Sequence, residues 1–243
     1  MTIDYDKASQ TYDNTRRGDQ NLLDQFATRV ALTEESRVLD FGCGTGNYLV
    51  QIRERFGCAC YGVEPSAGMR AAAAEKDDSL ILAEGDHQNI PFESGSFDFI
   101  YMTDVIHHVP EMGQMFTELA RVLAPNGQIC VVTESHPQIT ARFYNRYFPS
   151  LVGVETGRYP AIASIIAAAA TGGLHFQGRE TIPQKERVVD DTFITNVREK
   201  NYSMFRLLSD TEFSTGLAAL EADADRRFPP GAAGQTLVWL ARG

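Results

Sequence analysis

One stretch decides the fold: Val38-Leu39-Asp40-Phe41-Gly42-Cys43-Gly44-Thr45-Gly46-Asn47-Tyr48-Leu49, an apolar strand that runs into three evenly spaced glycines and then a helical pattern. Glycine is needed where the backbone turns tightly and a ligand must approach with no Cβ in the way. A helix starting after Gly46 leaves unpaired N–H groups aimed at that ligand. The missing Gly-Lys-Ser/Thr excludes a Walker A loop. The even spacing departs from the G-x-G-x-x-G of dinucleotide sites, with Asn47 standing where the third glycine of that fingerprint would be.

On either side of this loop, short apolar runs at 37–41, 60–63, 80–83, 97–102 and 128–133 alternate with helical stretches at 47–56, 65–75 and 111–123. That is the βαβ rhythm of a parallel sheet with helices on both faces. Pro65 reads as a first-turn helical position, and Pro125-Asn126-Gly127 as a turn feeding the next strand.

After Glu134 the rhythm breaks. Residues 136–183 carry Phe143, Tyr144, Tyr147, Phe148, Tyr159 and Phe176 together with Arg142, Arg146 and Arg158, the composition of a covering segment. The alanine-rich run 161–170 reads as a packed helix, far too short to span a bilayer. Residues 201–210 predict a helix, and Ser209-Asp210-Thr211-Glu212 the capped start of another. An apolar strand at 236–240 can return to the sheet, so the region before it is an insertion in one fold. A lid or a homodimer contact are the roles open to its later part.

The chain has 243 residues and a formal net charge of -10, a length and balance that predict one folded domain and argue against nucleic acid or anionic lipid as partner. The polar, acidic opening lacks the apolar stretch of a secretory signal, which predicts the cytoplasm. Cys43, Cys58, Cys60 and Cys130 fit neither a redox motif nor zinc spacing and read as buried thiols; no metal site is expected.

Two further acids follow the loop in chain order. Glu64, at the end of the second strand, can accept both hydroxyls of a ribose. Asp86, in Gly85-Asp86-His87 after the third strand, can accept from an adenine amino group, with the His87 N–H meeting a ring nitrogen. Asp40, the glycine loop, Glu64 and Asp86, followed by Pro91-Phe92-Glu93-Ser94-Gly95-Ser96-Phe97-Asp98, Asp104-Val105-Ile106-His107-His108-Val109-Pro110 and Glu118-Leu119-Ala120-Arg121-Val122-Leu123-Ala124-Pro125-Asn126-Gly127, resemble the class I S-adenosylmethionine-dependent methyltransferases. The likeness is to the small-molecule branch that includes the quinone-biosynthesis C-methyltransferases. Asn126 departs from the commoner glycine in its turn.

The resemblance implies a Rossmann-like α/β three-layer sandwich with a mostly parallel seven-stranded sheet whose last strand is antiparallel, and a helical cap inserted after the fifth strand. It divides one domain into N-terminal lid helices (1–30), a cofactor-binding core (31–135), cap and insertion (136–232) and a last strand (233–243). It implies S-adenosylmethionine as cofactor, S-adenosylhomocysteine as product and a small-molecule methyl acceptor. Cofactor contacts are implied at Asp40, Gly42, Cys43, Gly44, Glu64, Pro65, Gly85, Asp86, His87 and Thr103, with Tyr12 and Arg16 closing the site from the leading segment.

In-line transfer from a sulfonium needs alignment and exclusion of water, and a base only where the attacking atom must lose a proton. His108, after the fourth strand, is the candidate base. His136, Tyr144 and Tyr147 are candidates for acceptor contact, and Arg142 or Arg146 for an anionic group on it. Two other readings share these residues: a cofactor-binding protein without transfer activity, and an NAD-dependent oxidoreductase.

Overall fold

A computed structural model describes residues 19–243. A seven-stranded sheet holds β1 (Arg37–Phe41), β2 (Ala59–Val63), β3 (Ile81–Ala83), β4 (Phe97–Thr103), β5 (Leu123–Thr133), β6 (Leu174–Gln184) and β9 (Gly231–Arg242) in the order β3-β2-β1-β4-β5-β9-β6. The β3-β2-β1-β4-β5 portion is parallel, and β9 runs antiparallel to β5. This is the mostly parallel α/β sheet that the alternating pattern predicts. Its order reverses between β1 and β4, and in such sheets ligands bind at the carboxyl ends of the strands flanking that point.

Alternating helices supply the layers: α1 (Gln20–Arg29), α2 (Asn47–Phe56), α3 (Ala67–Lys76) and α4 (Met112–Val122). Gly46 and Gly57, both with positive φ, bound α2 at its two ends. The start of α3 differs from expectation: Ser66 is its cap, its side chain accepting from the Met69 N–H at 3.2 Å, so Pro65 stands outside the helix. The Pro125-Asn126-Gly127 segment is likewise absorbed into β5. Phe97 pairs with Leu123 and Phe99 with Gln128, so the extra residues form a bulge instead of a free turn.

That bulge divides the aromatic core. Phe97 meets Tyr61 and Phe92 with ring centroids 5.1 and 5.2 Å away, whereas Phe99 packs with Phe26 at 5.0 Å and Trp239 at 6.0 Å. Val38 and Asp40 of β1 pair in register with Phe99 and Tyr101 of β4. The alanine-rich run forms α7 (Ile162–Thr171), which buries Ile162, Ile165 and Ala169 against the cluster containing Met115, Phe116 and Leu119 of α4.

Among the described residues the chain divides into two compact units. One comprises residues 19–133, Ile162–Glu180 and Thr236–Gly243; the other comprises Glu134–Ala161 and Thr181–Gln235. The second unit holds α5 (His136–Thr140), α6 (Leu151–Arg158), α8 (Asp191–Arg198), α9 (Asp210–Ala222) and the hairpin of β7 (Arg187–Val188) with β8 (Arg227–Phe228). It has an apolar core of its own, built on Phe148, Leu151, Val197, Phe205 and Leu220. Ser209 caps α9 as its sequence predicts, whereas the stretch before it forms a 3-10 helix, Ser203–Leu207, in place of the expected α-helix. Among the described residues no helix is long and apolar enough to cross a membrane. All four cysteines are free and buried.

Candidate functional site

The glycine loop closes the carboxyl end of β1. Gly42, Gly44 and Gly46 have φ of 77°, 53° and 73°, left-handed values that side chains rarely tolerate. At Gly42 an added Cβ would lie 2.5 Å from Val105 Cγ2, so the loop also depends on a residue just beyond β4. Gly42 N–H donates to Val63 O at 2.7 Å and Cys43 N–H to the same oxygen at 3.2 Å, which ties the loop to the end of β2.

Glu64 follows directly. Its carboxylate accepts from Gly44 N–H at 3.1 Å and from Ser66 N–H at 3.0 Å, so each oxygen is oriented by a backbone donor. Arg70 braces the same corner from below: its guanidinium donates to Glu64 O at 2.6 Å, to Pro65 O at 2.9 Å and to Glu84 at 2.8 Å. Lys76 holds the far side of the loop through Thr45 O at 2.8 Å. Neither cation stands out in the sequence; each braces the loop partly through backbone oxygens, which leave no trace in residue spacing.

The third segment is a tight turn. Asp86 is exposed and its Oδ1 accepts from Gln88 N–H at 2.8 Å and Asn89 N–H at 3.2 Å. An added Cβ at Gly85 would lie 2.7 Å from Asn89 O, so the turn requires glycine. His87 is half-buried, with Nε2 3.9 Å from Glu111 Oε2 at the start of α4. Thr103 ends β4, and Asp104 after it has a φ of 55°. Asp40, the glycine loop, Glu64, Pro65, the 85–87 turn and Thr103 thus all lie at or just beyond the carboxyl ends of β1, β2, β3 and β4. Tyr12 and Arg16 lie outside the described residues.

Asp40 is buried to 2% exposure, one of the most enclosed acids of the chain. Among the described residues its Oδ1 has no hydrogen-bond partner, nor has the buried hydroxyl of Tyr101 on the adjacent strand. Burial pushes the Asp40 carboxyl up to about 8; the neighbouring Tyr101 hydroxyl opposes that rise, and the charge of Glu64 adds to it. Burial also raises the Cys43 thiol, reinforced by Asp40 and Glu64, so Cys43 is an inert side chain in the loop. Tyr101 is the residue that the strand pattern concealed, since alternation marks it only as another inward-facing aromatic.

His107 and His108 lie ahead of α4. They form a separate 3-10 turn, Ile106–His108, with ring centroids 4.0 Å apart and His108 exposed.

In the second unit, His136 opens α5 and its Nε2 lies 2.8 Å from Tyr159 O. Tyr144 is half-buried among Phe143, Phe193 and Phe205. Tyr147 is buried and donates to Asp223 at 2.8 Å, which with burial raises its hydroxyl to about 12. Arg142 donates to Glu134 through Nε at 2.9 Å and Nη2 at 2.7 Å, and to Glu155 through Nη1 at 2.9 Å. Its guanidinium is thus committed inside the protein, unlike the free anion-binding group that its sequence position suggests. Arg146 lies over the rings of Tyr147 and Phe228.

Residues 39–131 match a family described as a methyltransferase domain. The chain is 32% identical over 111 residues to the chloroplastic tocopherol O-methyltransferase of Arabidopsis thaliana, an alignment covering 43% of this chain and 32% of that protein. It spans about a third of the length of the first curated relatives it matches. Among solved structures, a protein assigned as a methyltransferase of an antibiotic biosynthesis pathway in Anabaena variabilis superposes with a TM-score of 0.77 at 21% identity, covering 93% of this chain and 98% of that one. A phosphoethanolamine N-methyltransferase of Haemonchus contortus, solved with S-adenosyl-L-methionine, superposes with a TM-score of 0.60 at 20% identity, covering 98% of this chain and 56% of that one. The match to the methyltransferase-domain family lies on the strands and loops just described, and the fold is shared with the solved methyltransferase structures.

Proposed function

We propose that the protein transfers a methyl group from S-adenosylmethionine to a small-molecule acceptor in the cytoplasm. One observation carries the reading. The Glu64 carboxylate is pinned by Gly44 N–H and Ser66 N–H beside a loop of three left-handed glycines, a cradle for a ribose beside a close backbone approach.

S-adenosylmethionine, when bound, supplies a methyl group on a sulfonium. Glu64 holds the ribose, the 85–87 turn meets the adenine, and Asp40 beneath the loop complements the cationic amino acid end. Cys43 and Pro65 line this path, and Thr103 borders it at the end of β4. His108, exposed after β4, is the base for acceptors that must lose a proton.

Calorimetry with S-adenosylhomocysteine tests the cofactor half. Wild type should bind, and Glu64→Ala should bind about 10- to 150-fold more weakly, the equivalent of about 1.5–3 kcal/mol for hydrogen bonds to a charged group. Absence of binding at millimolar ligand would refute the assignment. A scan of quinones, phenols, amines and thiols for S-adenosylhomocysteine release tests the transfer half; binding without turnover on any of them would favour a non-catalytic cofactor-binding protein.

A further inference from the structure

Asp40 is a buried acid with no cation paired to it among the described residues. From β4 it faces Tyr101, its partner in strand register, whose hydroxyl is itself buried and unpaired. The thiol of Cys60 on β2, the thiol of Cys43 in the glycine loop and the carboxylate of Glu64 are the other titratable groups around this pair; Arg70 acts on Cys43 and Arg53 on Cys60, but among the described residues no cation acts on Asp40 or Tyr101 themselves. From α1, Phe26 packs on Tyr101 with ring centroids 5.2 Å apart.

The cations of the surrounding helices are turned to other acceptors: Arg53 to Asp77, Arg70 to Glu64 O, Pro65 O and Glu84, Lys76 to Thr45 O and Asn47. An isolated carboxylate in such surroundings is costly, and the group escapes that cost by keeping its proton.

We propose that Asp40 and Tyr101 form a proton-exchange element, in which Asp40 is a neutral acid in the free protein and releases its proton to solvent when the ammonium end of the cofactor arrives, with Tyr101 setting the pH of the exchange. The balance is simple: the O–H bond of the Asp40 carboxyl breaks, its electron pair stays on oxygen, one proton enters solvent, and the ligand's ammonium provides the neutralising charge. The inference rests on the proposed S-adenosylmethionine site. It adds that affinity is coupled to pH through one buried acid. Below the Asp40 value, occupied by a proton, each unit of pH rise should strengthen binding about tenfold, and the gain should fade above about pH 8.

The experiment is calorimetry with S-adenosylhomocysteine in paired buffers of different ionisation enthalpy, at pH 7 and pH 8. Wild type should release close to one proton per ligand at pH 7 and about half a proton at pH 8. Tyr101→Phe removes the hydroxyl that opposes the rise, so its release at pH 8 should remain close to one, and its affinity there should be lower than that of wild type. Asp40→Asn should show buffer-independent heats at pH 7 if it binds. Binding by wild type with no proton release at pH 7 overturns the exchange and leaves the cofactor reading intact. Equal release by Asp40→Asn, or an unchanged profile in Tyr101→Phe, overturns it as well. Failure of wild type to bind overturns the cofactor reading, and this inference with it.

Discussion

Two buried carboxylates in this chain are treated in opposite ways. Glu155 in the second unit, 3% exposed, receives Arg142 at 2.9 Å and Arg158 at 2.6 Å, and Arg142 is in turn held in a fork by Glu134. Asp40 in the sheet unit, 2% exposed, receives no cation among the described residues and keeps an oxygen without a partner. A closed network of complementary charges leaves no capacity for a ligand, whereas an acid left open beneath a glycine loop complements a charge that arrives from outside. Burial alone therefore does not distinguish structure from function; the difference lies in whether the protein itself supplies the counter-charge.

The largest effect expected from that difference is at Arg142. Arg142→Met removes the guanidinium from between Glu134 and Glu155 and leaves Glu155 with Arg158 alone. Breaking a buried pair on one side typically costs about 3–5 kcal/mol, a large share of the stability of an ordinary domain. Urea unfolding should show that loss. A cost below about 1 kcal/mol would mean that the network is a spectator and the comparison with Asp40 empty.

Asp40 should give the opposite signature. Its carboxyl is raised in the folded protein, so between about pH 4 and pH 8 the native state holds a proton that the unfolded chain has lost. Stability should therefore fall as pH rises through that window and level off above it. The slope approaches about 1.4 kcal/mol per pH unit. Asp40→Asn, close in shape and permanently neutral, should remove this slope, and thermal melts of the two proteins at pH 5, 6 and 7 measure it. Parallel melts would show that Asp40 is ionised throughout and has a counter-charge.

The same contrast explains what the sequence discloses. The strand of residues 37–41 and the helix of residues 47–56 are legible in full because apolar periodicity is bounded by glycines whose positive φ is a local property. Glu64 and Asp86 are legible because they lie at strand ends in fixed order behind the loop. Pro65 misleads because Ser66 takes the cap, and 125–127 misleads because a bulge in β5 accommodates a turn-like composition. Tyr101 is hidden because the pairing that places it opposite Asp40 is between strands far apart in the chain. The aromatic segment is hidden for the same reason: Phe143 meets Phe193 at 5.2 Å and Phe228 at 4.9 Å, so rings that read as a covering surface form part of an interior. Arg142 reads as a free cation because its acids, Glu134 and Glu155, reach it only after α5 and α6 are folded.

Arg158 provides the finest adjustment of the comparison. It is the more exposed of the two arginines on Glu155, at 22% against 8% for Arg142, and it reaches that acid from one turn along α6. Arg158→Met leaves Glu155 with the better-buried partner, so the cost should be about 1–2 kcal/mol, the range for a hydrogen bond to a charged group with some access to water. The two arginines share one acceptor, so their effects should not add. In the Arg142→Met, Arg158→Met double variant the cycle should return a coupling of about 1 kcal/mol or more. A strictly additive double variant would mean that each arginine acts on its own surroundings. Glu155 would then be no better compensated than Asp40, and its low exposure would need another explanation.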